Sequence, residues 1–219
     1  MHNYHKIQAP FKRTNAKDVL IDENVFSDMY ISMLSNITWL GTEKIDGMNL
    51  NLCYDGNHLS VKGHTDKTRF SQEQIDWIDR FLTAELEQMF EQYFGEEEVI
   101  FHGEFVGPKI QSNLYNLDDY KFIVFDIYIV TKDVYYSQSA VKGIAEQFGL
   151  EVAPLVVVGT LQRIIEYVKS APSSMLNPKQ EMEGVVIRPE HELKNFTGHR
   201  IVYKVKLRDL LGRDAKCIE

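Results

Sequence analysis

Short runs of β-branched and aromatic residues recur along this chain, and helical stretches interrupt them without strict alternation. The runs are Trp39 to Lys44, Asn49 to Tyr54, His58 to Lys62, Val99 to Val106, Phe122 to Val130, Val152 to Val158, Val185 to Arg188 and Ile201 to Lys206. Each has the length of a strand rather than a helix. Asp55-Gly56 between two of them is a strong two-residue hairpin signal. Regular strand-helix alternation would imply a parallel sheet. Its absence predicts an α+β fold built on mainly antiparallel sheets.

Helices are marked by caps and apolar spacing. Ser71 and Gln74 form a capping-box pair, and Ile75, Ile78, Leu82, Leu86, Met89, Phe90 and Tyr93 continue at helical spacing until Gly95. Further helices are expected over 25–34, 139–148 and 161–169, the last two stopped by Gly149 and Pro172. With 219 residues and 44% hydrophobic content, the chain can bury one sizeable core. No linker, repeat or low-complexity segment divides it. The expectation is one domain over residues 1–219.

Composition removes several classes of function. No stretch approaches the ~20 apolar residues of a membrane span. The N-terminus, with His2, His5, Lys6, Lys12 and Arg13 among polar residues, has no apolar signal segment. Cys53 and Cys217 are too few for a disulfide framework and lack metal-ligand spacing, so two free thiols in a reducing compartment are expected. A net charge of −8 argues against nonspecific coating of nucleic acid. The acid excess gathers at Glu85, Glu87, Glu91, Glu96, Glu97 and Glu98, whereas Arg188, Lys194, His199, Arg200, Lys204, Lys206 and Arg208 make the C-terminal stretch basic. A phosphate-binding face on an acidic body is compatible with that distribution.

Lys44, Asp46 and Gly47 form a Lys-x-Asp-Gly run, a weak signal on its own. Its weight comes from the ordered company it keeps further along the chain: Gly103-Glu104, Val124-Phe125-Asp126, Glu183-Gly184-Val185-Val186-Ile187, and Lys204-x-Lys206. This ordered set resembles the covalent nucleotidyltransferases, the superfamily of ATP-dependent nucleic-acid ligases and mRNA capping enzymes. Lys6-Ile7, Phe11-Lys12-Arg13 and Gly107-Pro108-Lys109-Ile110-Gln111 further resemble the small phage-type RNA ligases. The resemblance implies a nucleotidyltransferase (adenylation) domain whose sheets flank a nucleotide cleft. It implies an ATP-dependent RNA ligase acting on 5′-phosphate and 3′-hydroxyl RNA ends, located in the cytoplasm, or in a host's cytoplasm if phage-encoded. Another covalent nucleotidyltransferase, such as a DNA ligase or a GTP-dependent capping enzyme, is the nearest alternative. A catalytically weak protein that binds nucleotide or RNA ends is the alternative from a different class. The sequence gives no oligomeric state.

The resemblance also distributes roles. Lys44 is the nucleophile that attacks the α-phosphate of ATP, with Lys204, Lys206 and Glu183 as its catalytic partners. A lysine has an ordinary pKa of ~10.4, so it needs burial or neighbouring cations to lose its proton near neutral pH. Lys204 and Lys206, two apart on an extended segment, project from one face and can supply those cations. Glu43, Lys44, Ile45, Asn49, Glu104, Phe125, Val186, Lys204 and Lys206 are expected around the nucleotide, with Phe125 stacked on the purine and Val186 on its other side. Glu183 and Asp46 are expected to serve Mg2+ or Mn2+, and Gly47 to allow a sharp turn. Asp126, a carboxylate in an apolar run, must be paired or hydrogen-bonded. Strict alternation puts Glu183 and Val186 on opposite faces, so a backbone irregularity is expected at Glu183-Gly184.

The chain departs from the pattern in two places. The phage-type ligases carry an arginine in a Gly-Arg-Thr-Asp-like segment after the hairpin, where this chain reads Gly63-His64-Thr65-Asp66. Histidine makes no bidentate phosphate clamp, so Lys62 or Lys67 stands as a substitute beside His64. Lys109, Arg188 and Arg208 are further candidates for nucleic-acid phosphate contacts. The second departure is the short stretch after Lys206, which leads to the expectation of no C-terminal accessory domain.

Overall fold

A computed structural model describes residues 4–13, 21–65 and 67–218. His2 and Asp66 lie outside the described residues. In chain order the elements are β1 (Phe11–Arg13), β2 (Ile21–Phe26), α1 (Met29–Met33), β3 (Trp39–Glu43), β4 (Met48–Tyr54), β5 (Leu59–Gly63), α2 (Gln72–Phe81), α3 (Ala84–Phe94), β6 (Val99–Val106), β7 (Lys121–Ile129), β8 (Val134–Tyr135), α4 (Gln138–Gln147), β9 (Glu151–Val152), β10 (Leu155–Gly159), α5 (Leu161–Lys169), β11 (Gly184–Pro189), β12 (Tyr203–Lys206) and α6 (Leu207–Leu211). The described residues pack as two compact units, one of residues 4–5, 46–65 and 67–152, the other of residues 6–13, 21–45 and 153–218.

The first unit is built on a sheet ordered β5-β4-β6-β7-β8, with β9 beside β7. Only the β7–β9 pair is parallel among the described strands. Along β4 the even positions Leu50, Leu52 and Tyr54 enter the core with Phe101, Phe105, Phe122 and Val124, and helices α3 and α4 cover them through Phe90, Phe94, Ile144 and Phe148. Period-2 alternation sends Asn49, Asn51, His102 and Glu104 to the opposite face. Between β6 and β7 the register slips, from His102 opposite Asp126 to Gly103 opposite Val124. Phe125 is the extra residue of this bulge, which turns it out of the core sequence of its strand.

The second unit carries the antiparallel sheet β10-β3-β11-β12 and the small pair β1-β2. Its core joins Trp39, Val185, Ile187, Tyr203 and Val205 to the apolar side of α5, Leu161, Ile164, Ile165 and Val168.

Two helices differ from their sequence patterns. The continuous run from Ser71 to Gly95 is two helices, because the Thr83 hydroxyl accepts from Leu86 N–H and restarts the chain as a new N-cap. The apolar pattern predicts one helix over residues 25–34. The chain holds instead the end of β2 and a short helix capped by Asp28, whose carboxylate accepts from Ile31 N–H and from the Tyr203 hydroxyl. Among the described residues, no helix is long and apolar enough to cross a membrane.

Candidate active site

In the second unit, β11 pairs with β12 so that Gly184 lies opposite Lys206 and Val186 opposite Lys204, while β3 places Thr42 opposite Val186 on the other side. Directly opposed residues share a face. Lys204, Lys206, Val186 and Thr42 therefore lie on one face, and Val185, Ile187, Tyr203 and Val205 fill the core on the other. Lys44 comes one residue after β3, and its N–H donates to Gly184 O at 2.9 Å, which continues the ladder past the strand end.

Glu183 sits at the centre of this face. Lys44 Nζ donates to Glu183 Oε2 at 2.5 Å, and Lys206 Nζ donates to Glu183 Oε1. The expected irregularity is present: Gly184 has φ +153°. A Cβ there would meet Val205 O at 2.1 Å, so only glycine fits. Burial acts against ionisation of Glu183, but the charge of Lys44 and the hydrogen bonds from Lys206 and Lys44 outweigh it and hold the carboxyl below its ordinary range. Burial, then the neighbouring charges of Lys206 and Lys44, push the Lys204 ammonium down. Three ammonium groups thus gather about the Glu183 carboxylate. Such a concentration of positive charge is what a polyphosphate would relieve, so the residues fit a nucleoside triphosphate. Glu183 has the donor chemistry for a divalent cation that draws its remaining ligands from phosphates.

Two residues depart from their expected roles. Glu43 is opposite Val185, on the core side. It is 2% exposed, and its carboxylate accepts from Met175 N–H at 2.9 Å. Burial raises its pKa, partly offset by Ser174 and Met175. Its side chain anchors the 173–176 loop rather than facing Lys44. Arg188, expected at nucleic-acid phosphate, has the parity of the lysine face but is 2% exposed, so its guanidinium is shielded from solvent in this structure. Arg208 is half-exposed with Asp214 at 3.7 Å. Ile45 is buried, and Val186 is half-buried on the lysine face.

In the first unit, Glu104 lies opposite Asn49, and Glu104 Oε1 accepts from Gly47 N–H at 3.2 Å. The chain bends at Gly47 as expected, and glycine is also needed for close approach, since a Cβ would meet Phe105 O at 2.4 Å. Asp46 N–H donates to the Tyr115 hydroxyl at 2.7 Å. Phe125 stands half-buried on the bulge, edge-on to Tyr4 at 5.1 Å. Asp126 is wholly buried and accepts from the Tyr4 hydroxyl at 2.9 Å, so it serves as an anchor. His102 Nδ1 lies 2.7 Å from Asn51 Oδ1 on the same face. Tyr4 and Tyr115 carry no signal in the sequence. Both are isolated aromatics far along the chain from the groups they touch.

Among the phosphate candidates of this unit, Lys62 is exposed opposite Asn51, and its charge reaches the Cys53 thiol, whose pKa burial nonetheless raises. His64 and Lys67 are exposed. Lys109 pairs with Glu73 at 2.5 Å on the surface, which raises its pKa.

One carboxylate thus holds two lysines, Lys44 and Lys206, beside half-buried Val186 and a third lysine, Lys204. The RNA ligase family model matches residues 37–206. The chain belongs to the RNA ligase family. Solved structures of similar fold include a variant of Naegleria gruberi RNA ligase with ATP and Mn, at TM-score 0.64 and 20% identity over 82% of this chain and 54% of that chain. The same protein with pyrophosphate matches at TM-score 0.63 and 22% identity, over 81% of this chain and 51% of that one. A third, with AMP and Mn, matches at 0.63 and 21%, over 84% and 55%. The chain spans about half the length of these ligases. Comparison with curated protein sequences gives no match.

Proposed function

We propose that this chain catalyses ATP-dependent joining of RNA ends through a lysyl-AMP intermediate on Lys44. The observation that carries the reading is the grip of Lys44 and Lys206 on the two oxygens of Glu183, on a face whose positive charge suits a triphosphate. In the first step the neutral Lys44 amine attacks the α-phosphorus of ATP. The P–N bond forms as the P–O bond to pyrophosphate breaks, and the amine loses a proton, for which Glu183 in contact with Nζ is an acceptor. Lys204 and Lys206 neutralise charge that builds on the α-phosphate. In the second step a 5′-phosphate oxygen of RNA attacks the lysyl-AMP and frees Lys44. In the third, the 3′-hydroxyl attacks the activated 5′-phosphate and AMP departs. A divalent cation, Mg2+ or Mn2+, would add charge neutralisation on the phosphates, with Glu183 as its carboxylate in this unit. In the other unit we assign the Asp46 carboxylate to metal, Asn49 to the nucleotide, Glu104 to the ribose or the metal's surroundings, and the Phe125 ring to the purine. Lys62, His64 and Lys67 are the exposed side chains proposed for strand phosphates. Two free cysteines suit a reducing, cytoplasmic setting.

The test is incubation with 5′-phosphorylated RNA and ATP or GTP, resolved for RNA-adenylate and for sealed product. ATP should give both. GTP-only reaction would make the protein a guanylyltransferase, and absence of either product with both nucleotides would remove the reading.

A further inference from the structure

Between the end of β3 at Glu43 and the start of β4 at Met48, the main chain leaves both sheets. Its amides still need acceptors. Gly47 N–H finds one in Glu104, and Asp46 N–H finds one in the Tyr115 hydroxyl at 2.7 Å. Tyr115 is 7% exposed and arrives by an unusual route. Lys109, Gln111, Ser112 and Asn113 have φ of 61, 44, 58 and 53°, and Asn116 has 51°, all in the left-handed region that non-glycine residues rarely enter. The Asn113 side chain holds the turn closed, donating to Leu117 O at 2.9 Å and accepting from Leu117 N–H at 3.0 Å. Strain of this kind persists only where surrounding structure over-determines it, and it gathers at functional sites. Here it reverses the chain and drives one buried hydroxyl onto the residue just past the Lys44-Ile45 pair.

We infer that Tyr115 is a positioning residue: its hydroxyl, delivered by the left-handed turn of residues 109–113, fixes the Asp46 main chain and thereby the aim of the Asp46 carboxylate. The inference rests on the proposed function for its consequence, a well-aligned adenylation step, but its geometric core does not. A neutral hydrogen bond of this kind corresponds to roughly a fivefold to tenfold effect.

The experiment compares the full wild-type chain with Tyr115→Phe, which keeps the buried ring and removes only the hydroxyl. Amide exchange of Asp46 should accelerate by about tenfold, with Gly47 unchanged because Glu104 still holds it. The rate constant of lysyl-AMP formation at saturating ATP should fall by about tenfold while KM for ATP stays within about twofold, and the unfolding temperature should hold. If wild type forms no lysyl-AMP, the proposed function fails, and the exchange measurement alone decides this inference. Unchanged exchange at Asp46 would overturn it. So would accelerated exchange throughout the unit with a lowered unfolding temperature, since Tyr115 would then be a packing residue.

Discussion

Glu183 illustrates how much one carboxylate can organise. It is mostly buried, yet two lysines reach it, and they hold its pKa below the ordinary 4.5 in spite of burial. A depressed carboxyl pKa stabilises the fold at pH above the unfolded value, and the contribution is lost as pH falls through the folded value. Denaturant melts should therefore show unfolding free energy declining below pH 4.5, with a shallower decline in Glu183→Gln. Lys204→Ala and Lys206→Ala should each slow adenylation by a hundredfold or more, about 3 kcal/mol, measured by single-turnover labelling. A change below about threefold in both would make them ordinary strand lysines. The ordered motifs make Lys44, Glu183, Lys204 and Lys206 legible, because spacing on a strand fixes the face. The same parity, applied to β3, places Glu43 on the side opposite Lys44; that needs the strand's end point, which the sequence blurs by one residue. Arg188 has the parity of Val186, and its burial is a property of packing that no local pattern displays.

The elements divide in a similar way. Strands announced by short apolar and aromatic runs, such as β6 over Val99–Val106, stand where the pattern puts them. The hairpin signalled by Asp55-Gly56 forms too, with Tyr54 opposite Leu59, and its turn centres on Gly56-Asn57, closed by Asp55 N–H donating to His58 O. The break between α2 and α3 is hidden because apolar spacing runs through it, and a threonine cap at Thr83 decides the matter. The bulge at Phe125 and the left-handed turn at 109–113 are not legible, since each depends on partners distant in the chain. Two substitutions probe these elements. Gly184→Ala puts a methyl 2.1 Å from Val205 O at a φ that disfavours it, and thermal unfolding should show a loss at the large end for single changes, ~4 kcal/mol. Ser112→Gly, exposed and at φ 58°, should stabilise the turn by up to ~1 kcal/mol in the same assay.

Across the whole molecule, the chain is an acidic protein of net charge −8 whose proposed chemistry lies on a locally cationic strand face. Each of its two compact units has its own core, and the family match runs through both. The order of strand-like and helical runs indicates the broad class of fold and no run has the length of a membrane span, but the two-core division is invisible in the sequence, because no linker composition marks the boundary. Adenylation of Lys44 is the event on which the proposed chemistry depends. The direct measurement is intact and peptide mass analysis of wild type and Lys44→Ala after incubation with ATP and Mg2+ or Mn2+. Wild type should gain the mass of one AMP, mapped to Lys44, labile to acid and stable to alkali, and the folded variant should gain none. An equal AMP adduct on Lys44→Ala, or a wild-type adduct mapped to another residue, would contradict the assignment.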